Sequence, residues 1–397
     1  MPSPRLSLQT LVLVVLLVAL GAALYRASAP FEIAHRLPRQ GFAVFSPDST
    51  KCAVVDHSGE IIVVLDVRSS YQHEIKTTEF VGYLAFTADA SELVMVGHNK
   101  TWVWVIDADC IRRDIVGGAV GYYWEDLFAQ SAGRILLFED PVWKVVDLRT
   151  FREFPVACRK GAMPAISIDG RLVAAASPEG ITLVEVESGR PLGTLPQSQN
   201  PQAWTAPSFL HAHELAALRD DGDLYVWRID NWNLQLRKSV ASSECYKVCP
   251  APDGRILFCT GPGWTHALSR RDFTSRWHNK VTSFMVTPDS REVLGTNDGH
   301  AMIVSAQTGE QLFRFGEAKS SIYPVMSPDG NWVITGNYDG SGAILWRRLR
   351  PCAWWGIFVR PELWCFLVVA GVFVRVVFKN FRPAVEVHKQ ESVGVAQ

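Results

Sequence analysis

Short apolar runs separated by tight turns fill the middle of this chain, and their order repeats. Each copy reads as an apolar strand ending in a Ser/Thr-Pro-Asp-Gly/Ser-like turn and then a second apolar strand. A Gly-containing turn follows, and a third apolar strand ends near Asp or Thr/Ser-Gly. In the first copy Phe45-Ser46-Pro47-Asp48-Ser49 leads into Cys52-Ala53-Val54-Val55, a Ser58-Gly59 turn and a run over 61–67. Later copies begin at Phe86-Thr87-Ala88-Asp89-Ala90, Phe128-Ala129-Gln130-Ser131-Ala132-Gly133 and Ser167-Ile168-Asp169-Gly170. A weak copy around 209–215 has a degenerate turn. The pattern recovers at Pro250-Ala251-Pro252-Asp253-Gly254, Thr287-Pro288-Asp289-Ser290 and Ser327-Pro328-Asp329-Gly330. Asp48 and Asp89 are 41 residues apart, Asp253 and Asp289 36, and Asp289 and Asp329 40. These spacings lie around the roughly 40–45 residues of one four-stranded propeller blade.

The physics of such a blade fits the pattern. Asp-Gly supplies a tight hairpin, because glycine accepts the positive φ that these turns need. Runs rich in Val, Ile, Leu and Trp bury both faces when blades stack, so they read as continuous as well as alternating apolar stretches. Radial repetition shields strand edges that a lone sheet would leave open. The expected fold is therefore all-β, a β-propeller of about eight four-stranded blades over 31–350. Seven is the alternative if the weak copy merges with a neighbour. The last copy supplies only three strands up to Trp346, and the strand-like segment Phe31–Leu37 before the first copy is expected to fill the missing outer place and close the ring.

Several third strands carry an aromatic residue at the same position, in Val103-Trp104-Val105-Ile106-Asp107, Tyr225-Val226-Trp227-Arg228-Ile229-Asp230 and Ile344-Leu345-Trp346-Arg347. With Ser327-Pro328-Asp329-Gly330 and Asn337-Tyr338-Asp339-Gly340, these segments resemble the WD-repeat family over roughly residues 40 to 350. The chain departs from that family in having no literal Trp-Asp pair and few Gly-His signatures. The resemblance implies a protein-interaction platform or scaffold. A propeller that binds a small ligand or glycan in its central channel is the alternative.

The two ends differ from the middle. Residues 11–24 are almost uninterrupted Leu, Val, Ala and Gly, and with Leu6 and Leu8 the stretch approaches the ~20 residues that span a bilayer as a helix. Residues 1–28 are thus read as a transmembrane anchor or signal segment. Ala27-Ser28-Ala29 resembles a cleavage box, but Pro30 argues against cleavage there. At the other end, 353–378 reads as an interfacial segment followed by a transmembrane helix. Trp354, Trp355 and Trp364 suit the membrane–water interface, and Pro361 marks the turn inward. The apolar run over 363–378 is broken only by Arg375, close enough to Lys379 and Arg382 to snorkel. Residues 379–397 read as a disordered tail. If Phe31–Leu37 pairs beside the strand ending near Trp346, both spans start from one place. Arg5 and the Lys379/Arg382 flank then put both termini in the cytoplasm and the propeller on the extracytoplasmic side.

Charge and chemistry narrow the function further. With 39 Lys+Arg against 40 Asp+Glu the net charge is −1, which removes the long-range attraction that nucleic-acid binders carry. Partners are expected to be other proteins, and the membrane through both ends. Of the eight cysteines only Cys245 and Cys249 are close in sequence, and in a strand they lie roughly 13 Å apart, too far to bridge. Most cysteines, Cys52 and Cys259 among them, are expected to be small buried hydrophobes. His57, His98 and His300 fall at turns. His211, His213 and Glu214 could hold a metal by alternation, but they sit where other copies place the Pro-Asp-Gly turn. Asp220-Asp221-Gly222-Asp223 lacks the offsets of a calcium loop. Gly261-Pro262-Gly263-Trp264 has no basic neighbour for phosphate, and no nucleotide-binding or Gly-x-Ser-x-Gly motif is present. Thr308-Gly309 and Ser188-Gly189 resemble turns of quinoprotein dehydrogenase propellers, though Phe313 and Leu192 stand where those place a docking tryptophan. No catalytic, cofactor-binding or metal residue is assigned, and the chain is expected not to be an enzyme.

Overall fold

The turn chemistry builds the same device in five copies. The protein is seen in a computed structural model that describes residues 30–37, 41–56, 58–69, 71–118, 127–158, 163–177, 180–196, 207–211, 213–219, 222–230, 233–239, 245, 247–261, 263–316, 321–337 and 342–349. The Ser46 hydroxyl donates to the Asp48 carboxylate at 2.6 Å and accepts the Lys51 N–H at 2.9 Å. Thr87, Ser167, Thr287 and Ser327 do the same with Asp89, Asp169, Asp289 and Asp329, each at 2.6 Å. Each hydroxyl also accepts the N–H that opens the next strand, at Glu92, Leu172, Glu292 and Trp332. The Asp89 carboxyl sits below the usual carboxylate range because Thr87 and Ser91 donate to it.

The fourth turn residue takes a positive φ, +68° at Gly170 and +71° at Gly330. Ser49 (+58°) and Ser290 (+59°) hold the same conformation, which costs a non-glycine residue about 1–2 kcal/mol. Both serines return something. Ser49 Oγ accepts the Asp329 N–H at 3.0 Å, and Ser290 Oγ accepts the Asp253 N–H at 2.8 Å. Each bond joins the turns of neighbouring blades.

Eight four-stranded sheets result. The first blade is β2 (Ala43–Phe45), β3 (Lys51–Val55), β4 (Ile61–Asp66) and β5 (Gln72–Lys76). The second is β6 (Val81–Phe86), β7 (Glu92–Gly97), β8 (Lys100–Val105) and β9 (Cys110–Val116). The third is β10 (Phe128–Ala129), β11 (Arg134–Glu139), β12 (Val142–Asp147) and β13 (Glu153–Val156). Strands β14 to β17 occupy 163–196, β18 to β21 208–239, β22 to β25 247–279 and β26 to β29 282–314. These seven sheets are antiparallel meanders in chain order.

The weak copy forms a full blade, because Phe209 still pairs with Leu215 and both enter the core. Seven blades are thereby excluded. Apart from the short 3-10 turn Gln130–Ala132, no helix occurs among the described residues. The aromatic third-strand position holds Trp104, Trp227 and Trp346, all buried, and aliphatic residues in the remaining blades.

The eighth blade is discontinuous in sequence. Its order is β1 (Phe31–Leu37), β32 (Ala343–Arg348), β31 (Trp332–Asn337), β30 (Ser321–Met326). The segment before the first copy is therefore the outer strand of the last blade, as its composition and place predict. Leu349 donates its N–H to the Pro30 carbonyl at 2.8 Å, so the chain leaves the blade beside the point where it enters.

Burial follows the layering. The second and third strands are buried on both faces, as in Ile256–Gly261, while the outer strands are largely exposed. Core clusters straddle blades, and one joins Leu37, Ile334 and Leu345 of the last blade to Phe45, Cys52 and Leu65 of the first. Outer edges are blunted by charge and by bulges: the pairing of the fourth strand slips by one residue in the second, fourth, fifth, sixth and seventh blades. Of the six described cysteines, Cys52, Cys245 and Cys259 are buried as expected, Cys158 and Cys249 are half-buried, and Cys110 is exposed because it opens an outer strand.

Ile33–Arg348 forms one compact unit. The expected spans at 1–28 and 353–378 and the tail at 379–397 lie outside the described residues. Among the described residues no helix is long and apolar enough to cross a membrane.

The hydroxyl device carries an internal comparison, since Ala251 replaces the serine in the sixth blade while Asp253 still accepts the Arg255 N–H. Ser327→Ala is expected to destabilise the protein by roughly 1–2 kcal/mol by taking its acceptor from the half-buried Trp332 N–H. Ala251→Ser is expected to stabilise it by about 1 kcal/mol. Urea midpoints of the two variants check both signs.

Candidate functional site

Alternation of strand direction gives the propeller two rims. One carries the turns between first and second and between third and fourth strands, together with Pro30 and Leu349. The opposite rim carries the second-to-third turns and the links between blades. Among the described residues, the exposed large apolar side chains on that opposite rim are Phe80, Val116, Val142 and Met163, which follow one another from the first-to-second blade link to the start of the fourth blade. Among the described residues they occupy one sector of the ring.

Below Val116 the outer strand of the second blade and the face of the third enclose a cleft of about 270 Å³. Lys144 on β12 stands in its wall with a side chain only 8% exposed. Its Nζ donates to Glu139 Oε2 at 2.7 Å and Glu153 Oε1 at 3.0 Å, and both carboxylates stay about half exposed. Burial works against the charge on Lys144, but the two glutamates more than offset it and raise its pKa. The guanidinium carbons of Arg112 and Arg113 lie 4.6 and 4.8 Å from the centre of the Phe151 ring, within cation–π range. Arg112 also donates to the Leu148 carbonyl at 2.8 Å and pairs with Glu92 at 3.0 Å, which locks the second blade to the third. The cleft thus offers exposed carboxylates, an arginine and an apolar lip on a fixed frame. That combination suits a polypeptide segment with mixed charge and one or two apolar anchors.

The residues singled out in the sequence do not meet there. His98 and His300 lie at second-to-third turns, and His57 is outside the described residues. His211 ends the strand Ser208–His211 and His213 occupies the following turn. Glu214 is committed to Arg270 of the next blade, so it does not join the imidazoles. Gly222 lies in a hairpin turn and Asp223 accepts from Arg237 Nε at 2.9 Å, while Asp220 and Asp221 are outside the described residues. Gly261, Gly263 and Trp264 flank another hairpin turn. Among the described residues no group of three or more His, Cys, Asp or Glu side chains is placed to hold a metal ion.

Sequence reasoning missed two arrangements in the sixth blade. Trp277 packs against Gly309 of the seventh blade, where an added Cβ would come within 2.8 Å of the indole, and its N–H donates to the Ala306 carbonyl at 2.9 Å. A tryptophan therefore docks on the Thr308-Gly309 turn, from the neighbouring blade rather than from position 313. His266 and His278 are direct cross-strand partners with ring centres 5.7 Å apart, and His266 Nε2 lies 2.6 Å from Ser275 Oγ. Burial, then the neighbouring His278 and Lys238, lower the His266 pKa below the usual imidazole value. The alternation Trp264-Thr265-His266 was the only signal for that face, and it needed the strand register to become a contact.

Comparison of the chain with protein-family models gives no match, and comparison with curated proteins gives none either.

The Lys144 cluster yields an asymmetric expectation. Lys144→Met is expected to change stability by ~1 kcal/mol or less, because the half-exposed glutamates rehydrate and methionine fills the space. Glu139→Ala combined with Glu153→Ala leaves a buried ammonium unpaired and is expected to cost roughly 3 kcal/mol. Chemical denaturation of the two variants side by side checks the difference.

Proposed function

We propose that this chain is a WD-repeat-like propeller tethered to a membrane by both ends, and that it works as a non-catalytic protein-interaction scaffold. The propeller lies on the extracytoplasmic side and both termini lie in the cytoplasm. The observation that carries this reading is the Leu349–Pro30 hydrogen bond: the two strands that lead to the apolar terminal sequences start and end side by side on one rim. Two apolar sequences leaving one point favour two spans of opposite direction, which the flanking Arg5 and Lys379/Arg382 match. The scaffold role is supported by the eight-bladed ring and by the apolar sector with its charged cleft on the opposite rim, which such a tether leaves facing away from the membrane. A near-neutral net charge speaks against nucleic acid as the partner.

Sealed vesicles or cells carrying the full chain with a tag at each end test the reading. External protease is expected to remove the propeller while both tags survive, and a photocrosslinker at Val142 is expected to capture a protein that one at Leu234 does not. A propeller that resists external protease and is digested only after lysis would reverse the orientation. Equal capture from both positions would remove the case for the sector.

A further inference from the structure

The rim that bears Pro30 and Leu349 has exposed apolar side chains of its own, and they are arranged differently from the sector opposite. Tyr71, Ile111, Leu192, Leu234 and Leu312 all sit at the start of a fourth strand or in the turn just before it, and Ile168 lies in a first-to-second turn. All six are between 46% and 68% exposed. They belong to the first, second, fourth, fifth and seventh blades, so they encircle the ring. A protein partner binds a patch, whereas a flat apolar phase meets a circle of side chains at one level.

Nothing in the blade demands apolar residues at these places. In the third and sixth blades the equivalent fourth-strand openings are Arg152 with Glu153 and Thr274 with Ser275, both polar and equally compatible with the strand. The polar residues between the apolar ones carry mixed charge: Asp66 accepts the N–H of Arg68, Asp147 that of Arg149, and Asp272 lies beside Arg270 and Arg271. Such a surface has no strong preference for anionic headgroups.

We infer that this rim rests on the bilayer, its ring of tyrosine, leucine and isoleucine side chains entering the headgroup region of zwitterionic phospholipid. The inference rests on the two-ended membrane tether proposed above. It adds that the propeller is held flat against the surface instead of swinging on its two tethers. The contact sets which rim is presented to partners.

Cys110 offers a native reporter, because it is exposed and adjoins Ile111. The full chain, with Cys352→Ser and Cys365→Ser, is reconstituted in phosphatidylcholine vesicles and a polarity-sensitive fluorophore is attached at Cys110. A second preparation places the fluorophore on the opposite rim through Met163→Cys in a Cys110→Ser background. Co-flotation of the chain with the vesicles is read first. The Cys110 probe is then expected to shift to the blue and to be quenched at least twofold more than the Met163→Cys probe by lipids carrying a nitroxide near the headgroup. Leu192→Ser with Leu312→Ser is expected to weaken that quenching, and added phosphatidylserine to leave it unchanged. A chain that floats with the vesicles while its Cys110 probe behaves as in water overturns the rim contact and leaves the tether standing. A chain that fails to float overturns both.

Discussion

A four-stranded sheet with apolar side chains on both faces cannot be covered by one partner; it needs a neighbour on each side, and each neighbour then needs another. Most second and third strands in this protein are of that kind, with burial continuous along them; the strand Trp264–Ser269, where Trp264 and His266 are only half-buried, is an exception. Only a closed ring leaves no face uncovered. The clusters that join successive blades are therefore the source of stability, and the Arg112–Leu148, Arg134–Gly170, Arg270–Glu214 and Arg348–Glu292 contacts are rivets along the same seams.

Closure is where sequence and function meet. The chain runs out of strands after β32, and the eighth sheet is completed by β1 from the other end. Leu37 packs into the cluster between last and first blades, and Ser49 gives up the usual glycine conformation to accept the Asp329 N–H across the same seam. A ring closed by its own beginning has both chain ends at one blade and one rim. Under the proposed two-ended tether, that arrangement would distinguish a rim of attachment from a rim of presentation.

Much of this was legible in the sequence because it is local. A Ser or Thr two residues before Asp makes its hydrogen bonds within six residues, so the turn can be recognised without knowing what surrounds it. Counting strands in the last copy sufficed to expect that Phe31–Leu37 completes it. What escaped were contacts between residues far apart in the chain. The Lys144 cleft depends on how β9 of one blade meets the face of the next, the His266–His278 pair on register, and the docking of Trp277 on Gly309 on the spacing between two blades. The exposure of Cys110 follows from its place at the start of an outer strand, which becomes evident only once the blade is assembled. The ring of apolar side chains on the rim that bears Pro30 and Leu349 is similarly invisible along the chain, because its members come from five blades.

The central claim is that β1 closes the ring. Its most direct test is the full chain lacking residues 31–37, compared with the wild type by thermal unfolding and by amide hydrogen exchange of the β32 strand. The expected result is a markedly lower unfolding midpoint with fast exchange along residues 343–348, while β3 and β4 lose less protection. An unchanged midpoint with β32 still protected would contradict it, since the ring would then hold without the strand that joins its two ends.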